Sequence, residues 1–275
     1  MTESAIPPTP EKRQPSVSEQ VGESALSIFQ EIKAVALLLS ESIYYSTLAV
    51  RRPKTLTRGS TATQMIQLGS TALPIVLLLS TLIGFTLAMQ SAQQLQKYGA
   101  MIFLADGIGM SMVMEIGPIL TAVILAGRSG SAITAEIATM VVQEEVMALR
   151  SMAINPIHYL VLPRFWALSI AQPLLTVASC LAGIVAGLVV GVFFYQLSVT
   201  GFLTELQQAL PMRYVWQALL KSLTFSWLIV FISVTKGLNV RGGADAVGRA
   251  TTACVVSCIF SIILADAVFS FIFYW

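Results

Sequence analysis

Residues 110–141 read MSMVMEIGPILTAVILAGRSGSAITAEIATMV, an apolar run whose only ionisable side chains are Glu115, Arg128 and Glu136. About 20 helical residues, rising 1.5 Å each, cross a bilayer core of roughly 30 Å, so this run is more than long enough to span one. Strands rarely exceed about ten residues, which leaves helix as the reading for so long an apolar stretch. Four further stretches, 70–92, 163–195, 214–236 and 250–274, have the same character. The second and third of the five are longer than a crossing needs, which predicts tilt or ends that project beyond the lipid.

The whole composition agrees. Of 275 residues, 56% are hydrophobic and 11% charged, against roughly a quarter charged in soluble domains. The mean hydropathy is +0.78. A water-facing shell needs more charge than this, so a soluble globule is excluded and the fold class is an all-α integral membrane protein. Thirteen of the 30 charged residues fall within residues 1–58. That polar head divides into a Pro/Ser/Glu-rich stretch, 1–18, expected to be a disordered cytoplasmic tail, and a segment 19–58. In the latter, Val21, Ala25, Ile28, Ile32, Val35, Leu39 and Ile43 fall on one helical stripe that ends at Arg51, Arg52, Pro53 and Lys54. The pattern predicts an amphipathic interfacial helix with a basic linker, or a helix packed on a soluble partner. Residues 59–275 form the membrane body.

Orientation follows from Lys and Arg. With the N-terminus cytoplasmic, the inner flanks carry Arg51, Arg52, Lys54, Arg58, Arg150, Arg164, Lys236, Arg241 and Arg249, and the outer flanks only Lys97 and Arg213. The positive-inside rule then puts the C-terminus outside. A net charge of +2 and the lack of a basic tract with interleaved aromatics exclude nucleic acid as a partner. Cys180, Cys254 and Cys258 lie inside apolar runs and read as small core hydrophobes. His158 has no partner at ligand spacing, so no metal is expected. No G-x-x-x-x-G-K-[ST] motif occurs, so this chain cradles no nucleotide, and any ATPase is another polypeptide.

Five spans without an internal repeat place any symmetry in a second copy. Gly183, Gly187 and Gly191, four residues apart, clear one helix face for close packing, within the chain or across a dimer. Ionisable groups inside spans each cost at least a few kcal/mol and need a reason to be there. Glu115, Lys221 and Asp266 all fall in the outer half of their spans. They predict a polar cavity able to hold a charged head group, or else a buried ion pair that fixes helix register. Arg128 and Glu136, with Gly127 and Gly130 in a run of small residues, read as architecture. After the second span, Glu144, Glu145, Val146, Leu149, Arg150 and Met152 lie on a short helix ended by Asn155-Pro156. Such a helix suits a contact with a soluble motor, or an ordinary loop resting on the bilayer.

The run from Glu115-Ile-Gly-Pro through Leu-Ala-Gly-Arg-Ser-Gly-Ser to Met140 strongly resembles the MlaE/YrbE family of ABC-transporter permeases. The likeness continues through Glu144 to Leu149, Asn155-Pro156, Pro163-Arg164, Gly242-Gly-Ala-Asp-Ala-Val-Gly-Arg-Ala-Thr-Thr252 and Asp266. It covers roughly residues 65–270. The resemblance implies a homodimeric permease with five spans per subunit, two cytoplasmic ATPase subunits that hold ATP and Mg, a periplasmic MCE-domain partner, and phospholipid as cargo. The permease itself carries no catalytic residue and no cofactor. The resemblance further implies that Glu115 and Lys221 border the lipid cavity, which agrees with their depth, and that residues 144–152 dock on the ATPase. It places the protein in a bacterial inner membrane, with the chloroplast inner envelope as the alternative. Two departures stand out: Ala138 replaces a glycine frequent in the family, and Glu144-Glu145 replaces the usual Glu-Gln. A rival from another class is an ion- or proton-coupled transporter using Glu115, Lys221 and Asp266 as a relay.

Overall fold

A computed structural model of the chain describes residues 58–274. The expected tail over 1–18 and interfacial helix over 19–58 lie outside the described residues, apart from Arg58. Within them the chain is helical, with no strand, and five apolar helical stretches are long enough to cross a membrane: Thr63–Lys97, Met101–Val142, Tyr159–Tyr195, Met212–Leu238 and Ala244–Phe273.

The first span is broken. Helix α1, Arg58–Leu68, ends at Gly69, and α2, Leu73–Lys97, restarts with Pro74 in its first turn, where a missing N–H costs nothing. The break leaves backbone carbonyls without their helical partners. Ser129 Oγ donates to the Leu68 carbonyl at 2.8 Å, and the Arg128 guanidinium donates to the Thr71 carbonyl. The run of small residues read as architecture thus closes the ends of a neighbouring helix.

The second span is α3, Leu104–Ser111, a π-helical turn over Met112–Ile116, α4, Gly117–Leu125, a second π turn over Ala126–Gly130, and α5, Ser131–Val142. Proline explains the first widening. Pro118 has no N–H to give Met114 four residues back, and its ring crowds that carbonyl. Glu144, with φ of 62°, reverses the chain into the short helix α6, Glu145–Ser151. The third span contains α7, Leu162–Tyr195. A further helix, α8, Val199–Ala209, lies between the third and fourth spans, is capped by Ser198 and buries Phe202. The last two spans are α9, Met212–Leu238, and α10, Ala244–Tyr274.

Two packing seams set the architecture. Along one, α5 and α9 run in the same direction: Thr134 donates to the Ser233 carbonyl at 3.1 Å, and Gly237 leaves room for Ile137. Helix α10 runs back against both and buries Cys254, Cys258 and Ile262. In the other seam α2 meets α7. Ser80 and Ser179 share a 2.7 Å hydrogen bond, and a side-chain carbon on Gly84 would collide with the backbone of Gly183. Met112 fills the space beside Gly183, Ile108 that beside Gly187, and Leu197 and Leu104 border Gly191. Of the two uses left open for these glycines, all three serve packing within one chain.

Substituting Gly84→Val should force α2 and α7 apart and cost about 1–3 kcal/mol or more. Gly107→Ala, where an added carbon meets nothing, should stay within about 0.5 kcal/mol of the parent. Thermal unfolding of the detergent-purified protein compares the two.

Candidate functional site

Three spans converge on one ammonium. Lys221 projects from the third turn of α9 into the interior, where its side chain is 1% exposed. Its Nζ donates to Glu115 Oε2 at 2.9 Å, Asp266 Oδ1 at 3.0 Å and the Met114 carbonyl at 3.1 Å, with Ser270 Oγ at 3.5 Å as the weakest contact. Ser270 in turn donates to Glu115 Oε1 at 2.9 Å. The Met114 carbonyl is the one that Pro118 leaves without a helical partner, so a single proline both widens the second span and supplies an acceptor to the lysine.

An ammonium removed from water costs several kcal/mol unless it is closely paired and its protons are all bonded. Both conditions hold here. The cluster carries two carboxyl groups for one lysine, and its exposure is graded. Lys221 is sealed, the Asp266 side chain is 14% exposed and that of Glu115 is 32% exposed. The lysine therefore locks three helices in register while the carboxylates turn an acidic edge outward. It lies at the end of the molecule opposite α6.

The other residues singled out from the sequence are not brought to this site. Glu136 pairs with the buried Arg164 at 2.8 Å, and Arg164 also donates to the Leu160 carbonyl at 2.6 Å. Arg164 is therefore an interior group rather than a flanking loop cation, and the charge bias persists without it. Gly130 packs against Ser233 and Ile229, whereas Gly127 faces open space. Along α6, Val146 is buried and Leu149 half-buried, so the open surface is made by Glu144, Glu145, Met147, Arg150 and Met152. Met147 was missed because the stripe was drawn through 146, 149 and 152. Ser270 was missed as well, although its place one helical turn beyond Asp266 marks it as a neighbour. The three cysteines are buried thiols, and no group of three or more His, Cys, Asp or Glu gathers among the described residues.

The family described as Permease MlaE matches residues 61–272. A probable ABC transporter permease protein of Synechocystis is 33% identical over 94% of this chain and 97% of its own length. Another, from Porphyra purpurea, is 38% identical over 78% of this chain and 82% of its own. The Arabidopsis thaliana protein TRIGALACTOSYLDIACYLGLYCEROL 1, chloroplastic, is 31% identical over 78% of this chain and 61% of its own.

Removing the lysine alone should be worse than removing every charge. Lys221→Met strands two carboxylates and should cost about 3–5 kcal/mol. The triple variant Glu115→Gln, Lys221→Met, Asp266→Asn leaves no unpaired charge and should recover most of that loss in thermal unfolding.

Proposed function

This chain belongs to the MlaE permease family, and on that premise we propose that it is the membrane subunit of an ATP-driven phospholipid transporter. It works as a homodimer in a bacterial inner membrane, or in the chloroplast inner envelope for a plastid copy. Its N-terminus is cytoplasmic and its C-terminus periplasmic. It passes lipid between that membrane and a periplasmic partner bearing an MCE domain.

One observation carries the reading: a sealed lysine holds two carboxylates so that one edge of them stays open, at the end of three packed spans opposite α6. A register lock alone needs no open edge. A phospholipid headgroup is polar and must be held at membrane depth, where acyl chains can rest on apolar helix faces while the headgroup meets Glu115, Asp266 and the lysine behind them. The name of the Arabidopsis relative contains that of a glycerolipid, which supports a lipid cargo. An odd number of spans leaves symmetry, and the second wall of the cavity, to another copy.

The motor is a separate ATPase that holds ATP and Mg and docks on α6. Support comes from the exposure of Met147 and Met152 beside Glu144, Glu145 and Arg150, which gives a protein partner both grease and charge. The protein moves cargo and breaks no bond.

Mass spectrometry of the complex purified with its ATPase should recover phospholipid above the level on an unrelated membrane protein, and in proteoliposomes transfer should require ATP and be lost in an intact Lys221→Met complex. Transfer that follows an ion gradient without nucleotide would favour the ion-coupled rival. Met147→Asp should abolish co-purification of the ATPase while leaving a folded permease; full retention would remove α6 as the docking site.

A further inference from the structure

The first three spans lose helical regularity in one shared layer, and the last two do not. Span one breaks between α1 and α2, around Gly69. The second π turn of span two meets that break through Ser129 and Arg128, which donate to the Leu68 and Thr71 carbonyls. Span three meets it as well: a side-chain carbon on Gly69 would collide with that of Ala171, and Pro173 follows two residues on, inside α7. That proline has no N–H for the Ser169 carbonyl and makes a point where the helix bends readily. Helices α9 and α10 run through the same depth without interruption.

On the α6 side of this layer, α1 packs against the start of α7, with Leu68, Val161, Phe165 and Leu168 in one buried cluster. The start of α7 has an irregular element at each end, the π turn over Ile157–Val161 and Pro173. Few polar contacts fasten it to its neighbours: Arg164 pairs with Glu136 at 2.8 Å, and Trp227 Nε1 donates to Ser169 Oγ at 3.1 Å. Beside the proline, Gln172 is fully buried, and neither end of its amide has a hydrogen-bond partner among the described residues. Enclosing an unbonded amide disfavours the arrangement that does so. A wider bend at Pro173 would open the Ser169 carbonyl, one turn back on the same helix, to that amide. The fastening contacts favour the observed arrangement and the stranded amide opposes it, as in an element with two arrangements close in free energy.

We propose that this layer is a hinge. Helix α1 and the part of α7 before Pro173 swing together against α9 and α10, and Gln172 bonds its amide only in the swung arrangement. The driving force rests on the reading of α6 as the motor's docking site. Helix α6 leads into α7 through the Ile157–Val161 turn, so a pull on α6 bends span three at Pro173 and draws the inner end of span one with it.

Hydrogen exchange of the full chain in phosphatidylcholine nanodiscs tests the hinge, with thermal unfolding beside it and lipid transfer by the complex with its ATPase as the functional readout. Gln172→Leu removes the stranded amide, Pro173→Ala restores the helical bond, and Gly107→Ala is the control outside the layer. Both layer variants, though substituted in span three, should slow exchange over residues 66–72 of span one about fivefold or more and leave 224–236 unchanged. Gln172→Leu should also raise the Tm by about 2–4 °C while slowing ATP-driven transfer about fivefold; a glutamine with only a structural role would raise the first without lowering the second. The triple variant Glu115→Gln, Lys221→Met, Asp266→Asn should lose transfer yet keep parental exchange over 66–72, so that loss at the cargo site and loss at the hinge are told apart. If the parent complex shows no ATP-driven transfer, the transporter reading fails and the hinge stands or falls on exchange alone. Unchanged exchange over 66–72 in the folded layer variants, a Gln172→Leu chain less stable than the parent, or parental transfer by that variant overturns the proposal.

Discussion

Burying one ammonium in a membrane protein dictates much of what surrounds it. Lys221 has three protons, no water and no way to snorkel from the third turn of a helix whose interior face it occupies. Each proton must find an acceptor, and the acceptors come from different spans: Glu115 and the Met114 carbonyl from the second, Asp266 from the fifth. Any slide of α9 against α4 or α10 breaks a charged hydrogen bond in a low-dielectric setting, where such bonds are costly to lose. Register among three helices follows from one side chain, and so does the acidic edge that the two carboxyl groups form beside it.

The local chain is shaped to meet that demand. Pro118 is unwelcome in the interior of a helix, yet here the carbonyl it orphans becomes a ligand of the lysine, and the π turn it accompanies carries Glu115. The same trade recurs lower in the span. The second π turn carries Arg128 and Ser129, whose donors close the carbonyls left by the break at Gly69 in the first span. Both irregular turns of the second span therefore supply polar groups to a neighbouring element. That accounts for backbone irregularity at membrane depth, which is tolerated only where protein satisfies it.

Much of this was legible in the sequence because the governing quantities are one-dimensional. Span number follows from apolar length, and the meeting of Glu115, Lys221 and Asp266 follows from equal depth in three spans that alternate in direction. Other features depend on which way a helix face turns, which depth alone does not give. The stripe through Val146, Leu149 and Met152 is real as periodicity, but Val146 turns inward and Met147 outward. Gly183, Gly187 and Gly191 signalled close packing without saying with what; the fillers are Met112, Ile108 and Leu104, themselves four residues apart, but nothing in one sequence pairs that stripe with the glycines. Helix α8 escaped notice because 11 residues make too short an apolar record, although Ser198 and the burial of Phe202 give it a cap and an anchor.

The two ends of the molecule differ in charge by design of the fold rather than by composition. At one end two carboxyl groups face a lysine, while at the other Lys236, Arg241 and Arg249 line one pocket. Helices α9 and α10 run the whole distance between them, held side by side by Ser233 and Cys254 at 3.3 Å and by the triad. A pair of helices pinned at one end by a charge lock has its remaining freedom at the other.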